Sequence, residues 1–506
     1  MLSLLATVAG WGGYAPIAAA PGFSAPATSG IPVPVLSYHP TAHDSILVFG
    51  AHPDDETLGA GGMVHAATAV GARVRVVTFT NGDGYVEGVD VGFRTLFSTP
   101  RQFIEYGKRR QREALAAAAH LGLPPARVTF LGYPDRGLPV LWGSAWDCGR
   151  PYTSPYTRRN RSPYPLGYRA EAGYCGENVL GDVENLLRQE RPSIIVMHTP
   201  ADTHRDHWAA AAFVVTAIQR YSFEDPAWAK RVHVWTYLVH HAMWPAPEAY
   251  APDLFLNPPR DLVGTETAWA QFPLGPGDEN AKRAAIREYS SQVELLRTYM
   301  LSFVRRNELF APPPEVWPLR LHGDGLSLSV PEGWDRVPAA IRGPAGGSFL
   351  HAAEGSVKLE SVAFAEDAAH LYVVLRLRHR AIREAQYRLE FRLFYRDGHL
   401  GRLPLLFQVP QSLTARHTLP ADLALPVGAG ARSVGPGIYV VLPLAPLGDP
   451  VSALFQAATV GPLKALVDRS PWTLVHLDQA GHPAGNSPVL PPVWLRSEDL
   501  TGIRGH

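Results

Sequence analysis

The sequence predicts an α/β protein, a Rossmann-like mainly parallel sheet with flanking helices, followed by a C-terminal all-β sandwich-like domain. Three observations predict it. From Ser45 to about Val239 short apolar, β-rich runs alternate with helical segments, the pattern of a parallel sheet covered by helices. The run Ala311-Pro312-Pro313-Pro314 then breaks the chain. Beyond it the hydrophobic period falls to two: Tyr387, Leu389, Phe391, Leu393 and Tyr395 alternate with Arg388, Glu390, Arg392 and Phe394.

The elements follow in order. Ser45 to Gly50 (SILVFG) reads as a strand buried on both faces, Glu56 to Val70 as a helix and Arg73 to Thr80 as the next strand, a βαβ unit. Phe103 to Leu121 is an Ala-rich helix ending at Gly122, followed by a strand at Val128 to Leu131. Asn178 to Gln189 and Trp208 to Arg220 read as helices, each leading into or out of the strands Ser193 to His198 and Val232 to Val239. Ala281 to Arg305 is one more helical stretch. β-like runs at Val357 to Phe364, Leu371 to Leu377, Gly437 to Leu444 and Trp472 to Leu477 join Tyr387 to Tyr395 in a sandwich of roughly seven to nine strands. The predicted organisation is an N-terminal signal or disordered segment (1–30), an α/β domain (31–310) with an insertion at 142–176, a linker (311–320) and the β domain (321–506).

The 506 residues suffice for more than one hydrophobic core. With 46 basic and 46 acidic side chains there is no surplus to attract a polyanion, so nucleic acid is not expected as a partner. No stretch approaches the roughly 20 continuous apolar residues of a membrane span. The start, with Leu2, Leu4, Leu5 and Val8 before Ala18-Ala19-Ala20, has the apolar core and small-residue end of a secretory signal but no Lys or Arg before Arg73. That leaves a secreted or extracytoplasmic location and a cytoplasmic one both open.

Cys148 and Cys175 are the only cysteines, which excludes a disulfide framework and a four-thiolate metal site. Any metal must use His and carboxylates. The two thiols, free or bonded, lie in an irregular insertion, 142–176, rich in aromatic and Arg side chains: Trp142, Trp146, Tyr152, Tyr156, Tyr164, Tyr168, Tyr174, and Arg150, Arg158, Arg159, Arg161, Arg169. It is either a ligand-stacking wall or a large loop packed on its own domain.

Chemistry concentrates at two strand ends. Gly50-Ala51-His52-Pro53-Asp54-Asp55-Glu56 leaves the first buried strand and enters a helix, at the end where open α/β sheets bind ligands. His52 and Asp55 converge from one turn and are ligand types that zinc hydrolases use, but two ligands are too few. His198-Thr199-Pro200-Ala201-Asp202-Thr203-His204-Arg205-Asp206-His207 also runs from a strand into a helix and supplies the third. Either cluster alone could be a capped helix start; both together are poorly explained that way.

These residues resemble the PIG-L (LmbE-like) family of zinc-dependent N-acetylglucosaminyl deacetylases, through the A-H-P-D-D-E stretch at 51–56 and H-x-D-H at 204–207. The resemblance extends to Arg110-x-x-Glu113 with Leu121-Gly122, to Leu131-Gly132-Tyr133-Pro134-Asp135-Arg136-Gly137-Leu138, and to Lys282 with Ser291-Gln292, covering about Ser45 to Phe310. It implies that His52, Asp55 and His207 hold Zn²⁺, or another divalent ion, and that Asp54 is the general base. His204, three residues before His207, is placed to stabilise the oxyanion or protonate the departing amine. Asp206 is read as a carboxylate orienting His52, His204 or His207. Asp135 and Arg110 match positions associated with sugar hydroxyls and the aglycone, although Arg110 also suits an exposed helix residue paired with Glu113 or Gln111. His198 suits a buried, hydrogen-bonded histidine.

The expected activity is hydrolysis of the N-acetyl group of an N-acetylglucosamine-containing substrate, an amino sugar or glycan. Compact family members need neither the aromatic insertion nor a β appendage, which directs attention to an extracytoplasmic glycan. The alternatives are a deacylase of another amide, such as an antibiotic or thiol precursor, and a glycan-binding protein with a vestigial metal site.

Overall fold

A computed structural model describes residues 33–169, 171–262, 268–321, 325–329, 333–343, 357–417, 419, 422–462, 466–477 and 500–501. The signal-like stretch, Met1 to Ala20, lies outside the described residues.

Five parallel strands form the sheet that carries the site: β1 (Ser45–Gly50), β2 (Arg73–Thr80), β3 (Val128–Tyr133), β4 (Ile194–His198) and β5 (His233–Tyr237). Their order is β3-β2-β1-β4-β5, with Val48 beside Val76 on one side and Val196 on the other. All six residues of β1 are buried, and they alternate between two cores. Leu47 and Phe49 face α3 (Gly176–Glu190) and α4 (Arg205–Glu224); Ile46 and Val48 face α1 (Asp55–Ala69) and α2 (Pro100–His120). Each such side chain contributes roughly 1.5–3 kcal/mol by burial. Because the order reverses between β1 and β4, the loops after these two strands diverge to opposite faces and leave a crevice at their carboxyl ends.

Two helices differ from the sequence pattern for local reasons. The helix expected from Phe103 starts at Pro100, because Thr99 and Gln102 form a capping box and Pro100 occupies the first turn. The single helix expected over 281–305 is two, α5 (Pro276–Glu288) and α6 (Ser290–Leu301), broken at Tyr289. The buried Tyr289 hydroxyl donates to Glu56 Oε1 at 2.7 Å, so the break is tied to the first turn of α1. Lys282 of α5 pairs with Glu308 at 2.7 Å, and Glu308 also accepts the amides of Gly62 and Met63. Lys282 therefore ties α5 to α1 and has a structural place.

The β part is two facing sheets, six- and seven-stranded. The excess over the expected strand number comes largely from short edge pieces such as Glu315–Val316, Leu319–Arg320 and Ile341–Arg342, too brief to show a period. Glu315–Val316 joins one sheet and Leu319–Arg320 the other, so the stretch after the prolines enters the sandwich. Its centre is aromatic, with Phe455 4.9 Å from Phe391 and 5.0 Å from Phe364.

On β6 (Gln386–Phe394) Tyr387, Leu389, Phe391 and Leu393 point into that centre, as the alternation predicts. Arg392 and Phe394 on the opposite face are also buried, because that face meets the α/β part. The Arg392 guanidinium lies 4.7 Å from the Trp142 ring and 5.8 Å from those of Trp146 and Trp472, and it donates to the Trp142 carbonyl at 2.8 Å. Arg402 lies over Trp146 and donates to the Gly143 carbonyl. Stacking on indole while donating in the ring plane is arginine chemistry that lysine does not reproduce.

These contacts decide most of the question raised by the aromatic insertion. Trp142, Trp146, Tyr164 and Tyr174 are buried in packing, while Arg150, Arg158, Arg159, Arg161 and Arg169 are exposed. Cys148 and Cys175 are bonded to each other, with Cα atoms 5.1 Å apart, and close the loop at its base. Tyr156 lies beside Gly84 and under the Arg136 guanidinium, next to the crevice, and the Tyr164 hydroxyl donates to Asp83, which in turn accepts the Asp135 amide. No helix among the described residues is long and apolar enough to cross a membrane.

Candidate active site

The first loop is tight. After β1 the chain turns through His52 and Pro53 so that Asp55 starts α1, and the Asp55 carboxylate accepts the His52 amide at 2.7 Å. Asp54 precedes the helix at φ 137°, a backbone region costly for a side-chain-bearing residue. It is held there by Arg110, whose Nη2 donates to the Pro53 carbonyl at 2.7 Å and to Asp54 Oδ2 at 2.9 Å. Arg110 is 3% exposed and not a surface helix residue. Glu113 instead accepts from Ser290 and Ser291, and Gln111 donates to Asn81. Gly82, at φ +62°, makes room for Arg110: a Cβ there would overlap the guanidinium.

The second loop leaves β4 at His198 and enters α4 at Arg205, with His204 as the capping residue. His204 Nδ1 accepts the Asp206 amide at 3.2 Å, so the neutral ring carries its proton on Nε2. Its ring meets His52 edge-on at 4.7 Å between centroids and His207 at 4.6 Å.

Three donor atoms converge between the loops. His52 Nδ1 is 3.1 Å from His207 Nε2 and 3.3 Å from Asp55 Oδ2, and His207 Nε2 is 3.3 Å from the same oxygen. The opposite edge of each ring faces carboxylates. His52 Nε2 is 3.1 Å from Asp135 Oδ1 and 3.4 Å from Asp206 Oδ2; His207 Nδ1 is 3.1 Å from Asp202 Oδ2. Those carboxylates place the ring protons on the outer nitrogens, and the inner nitrogens and Asp55 Oδ2 then present three lone pairs to one another. Such a triangle is held together either by a proton, which against the opposing effect of burial Asp135, Asp206 and Asp55 favour on His52, or by a cation, and its edges match the roughly 3.3 Å separation of ligands 2.0–2.1 Å from a tetrahedral ion. The donor set therefore fits a zinc-like ion. Groups of His52, His204 and His207, of Asp55, His198 and His207, and of His52, Asp135 and Asp206 also come within metal-binding reach of one another.

Two carboxylates divide the supporting work. Asp206 accepts the amides of Arg136 (2.6 Å) and Leu138 (3.1 Å), tying the loop after β3 to His52. Asp202 accepts the amides of His204, Val239 and His240 besides the His207 ring. In the sequence Asp202, with His198, lies near the motif but carries no assigned role, because Asp206 sits inside the motif. Its one legible signal was its place two residues before His204. Asp135 is likewise engaged by His52 and the Gly84 amide. His198 is buried and accepts the Ala51 amide at 3.0 Å, with Nε2 3.1 Å from Asp55 Oδ2.

Burial shapes the charges. It pushes the Asp54 carboxyl up to about 8 against the opposing pull of Arg110. Burial also raises Asp206. For Asp55 burial is outweighed by His207 and His198, and for Asp135 by His52, so both carboxyls fall below the usual range. Burial lowers the His204 imidazole well below its ordinary value, with His207 and His52 adding to the effect, and takes His207 down to about 4.

Fold and site together define a Rossmann-like α/β protein with a histidine–aspartate centre fit for a metal at the switch point of its sheet. Residues 47–218 match the family model described as PIG-L, GlcNAc-PI de-N-acetylase. The chain is 30% identical over 266 residues to the 1D-myo-inositol 2-acetamido-2-deoxy-alpha-D-glucopyranoside deacetylase of Mycolicibacterium paratuberculosis, covering 49% of this chain and 79% of that one. The protein of the same name from Mycobacteroides abscessus is 29% identical over 255 residues, covering 49% and 81%. The chain belongs to the PIG-L family. Among solved structures, the N,N'-diacetylchitobiose deacetylase of Pyrococcus horikoshii aligns at 17% identity with a TM-score of 0.33, over 54% of this chain and 86% of that one.

Proposed function

We propose that this protein is a zinc-dependent N-deacetylase that releases acetate from an N-acetylglucosamine-containing substrate. The carrying observation is the triangle of His52 Nδ1, Asp55 Oδ2 and His207 Nε2 with edges of 3.1–3.3 Å, bordered by Asp54 and His204. Family membership and the deacetylases of M. paratuberculosis and M. abscessus support the reaction and the amino sugar.

His52, Asp55 and His207 would hold the ion. A Zn²⁺ held there would supply Lewis acidity toward the amide carbonyl and the attacking water. Asp54 takes the proton of the attacking water; the Arg110 bond fixes which of its oxygens stays free to do so. A carboxyl raised by burial is a stronger base once ionised than one in water. As the carbonyl carbon becomes tetrahedral, neutral His204 offers Nε2–H to the developing oxyanion, and the departing amine leaves with the proton collected by Asp54. Asp206 orients His52 and holds the loop after β3. Asp135 keeps lone pairs beyond its bonds to His52 and Gly84, which a sugar hydroxyl can meet. Arg110, buried beneath Asp54, serves the base more directly than the aglycone.

The Cys148–Cys175 bond supports an oxidising, extracytoplasmic location, and with it a glycan substrate. The test is acetate release, with and without a chelator, from N-acetylglucosaminyl inositol, N-acetylglucosamine, chitooligosaccharides and poly-N-acetylglucosamine. Chelator-sensitive release that Asp54→Ala abolishes is the expected result, and chain-length preference separates metabolite from glycan. Tight zinc binding without release from any of them would move the reading to another amide.

A further inference from the structure

One charged side chain of the β-sandwich reaches the loop that carries His207. Arg469 ends β8 (Leu466–Arg469), which pairs with β7 (Ser452–Val460) in the seven-stranded sheet. Its position is fixed on both sides. The Asp468 carboxylate accepts the Leu359 and Arg469 amides, and Ser470 exchanges backbone and hydroxyl bonds with Ala457 while Gln456 donates to its carbonyl. From this anchored strand end the Arg469 guanidinium crosses to the α/β part. It lies 5.0 Å from the ring of Trp208, the neighbour of His207, and its Nη2 donates to the Asp202 carbonyl at 2.9 Å.

Asp202 is the residue through which the second loop is organised. Its carboxylate accepts His207 Nδ1 and the amides of His204, Val239 and His240, and its amide closes a turn on the Thr199 carbonyl. Tilting the 202–203 peptide would move this carboxylate, and with it the imidazole whose Nε2 completes the triangle. We propose that Arg469 is a positioning residue for the metal site, acting through Asp202 on His207, so that the β-sandwich completes the deacetylase centre. The inference rests on the metal reading of His52, Asp55 and His207.

The Trp472 ring also lies 6.5 Å from that of Trp208, while the other polar ties between the two parts among the described residues lie elsewhere. Arg392 and Arg402 hold Trp142 and Gly143, and Arg220, in the last turns of α4, donates to the Gly398 carbonyl at 3.2 Å. Arg220 therefore provides a control that loosens the same two parts without touching the 198–207 loop. Burial holds the Arg469 guanidinium down to about 10, still charged at neutral pH, so it donates under working conditions.

The experiment compares full-length wild type, Arg469→Ala, Arg469→Lys and Arg220→Ala, reading zinc affinity by competition with a chromogenic chelator, together with kcat, KM and melting temperature. The expectation is that Arg469→Ala weakens zinc binding about ten-fold or more, the scale of losing an outer partner of a metal-bound imidazole, and lowers kcat more than it raises KM. Arg469→Lys, which keeps a donor for the Asp202 carbonyl but not the flat contact with Trp208, recovers only part of the affinity. Arg220→Ala lowers the melting temperature only. Wild-type zinc affinity in Arg469→Ala, or an equal loss in Arg220→Ala, overturns the proposal by showing no specific tie. Failure of the wild type itself to bind zinc overturns instead the metal reading beneath it.

Discussion

The two loops that build the site are supported from different directions. The His52–Asp55 loop is held wholly from within the α/β part: Arg110 from α2, Tyr289 from the break between α5 and α6, Asp206 from α4 and Asp135 from the loop after β3. The 198–207 loop is held through Asp202 by the segment after β5 and, across the interface, by Arg469 of the sandwich. The difference teaches that one half of the proposed metal site is supported from the α/β part alone, whereas the other half also answers to the sandwich. Substitutions can therefore separate the halves.

The largest effect is expected where the halves meet. Asp55 lies against both His52 and His207, so Asp55→Ala should abolish zinc binding and acetate release while the fold survives, read by metal analysis and circular dichroism. Next is Asp54→Asn, which keeps the triangle and loses the base. Acetate release should fall by about 10²–10⁴ with zinc content unchanged. Loss of zinc in this variant would mean that Asp54 is itself a ligand.

The comparison between loops is sharpened by Asp206→Ala and Asp202→Ala. Each should weaken zinc by about 10–100-fold. Combined with Arg469→Ala, Asp206→Ala should show an additive loss and Asp202→Ala a less than additive one, because only Asp202 lies on the Arg469 path. The smallest effect on the site is expected at the insertion. Cys148→Ser with Cys175→Ser should lower stability by roughly 3–4 kcal/mol in the oxidised protein, seen in denaturant unfolding, and leave zinc affinity unchanged.

What could be read in the sequence was what lies close along the chain. His52, Asp54, Asp55, His204 and His207 stand at strand ends next to helix starts, and the structure brings all five together. The buried run of β1 and the alternation of β6 fixed those elements in the same way. What depends on distant partners was not legible. The sequence offered Asp206 as partner to any of three histidines; the fold gives it His52 and gives His207 to Asp202, 5 residues away. Helical period told nothing of what covers Arg110, since its cover is the close approach of Gly82. Period two marked Arg392 and Phe394 as the outer face of a strand, but only the docked α/β part makes that face an interior.

The most direct measurement is equilibrium zinc binding to the metal-stripped full-length protein and to its Asp55→Ala variant. One tightly held ion per chain is expected in the wild type and none in the variant. The same stoichiometry and affinity in both would contradict the assignment of His52, Asp55 and His207 as the metal site.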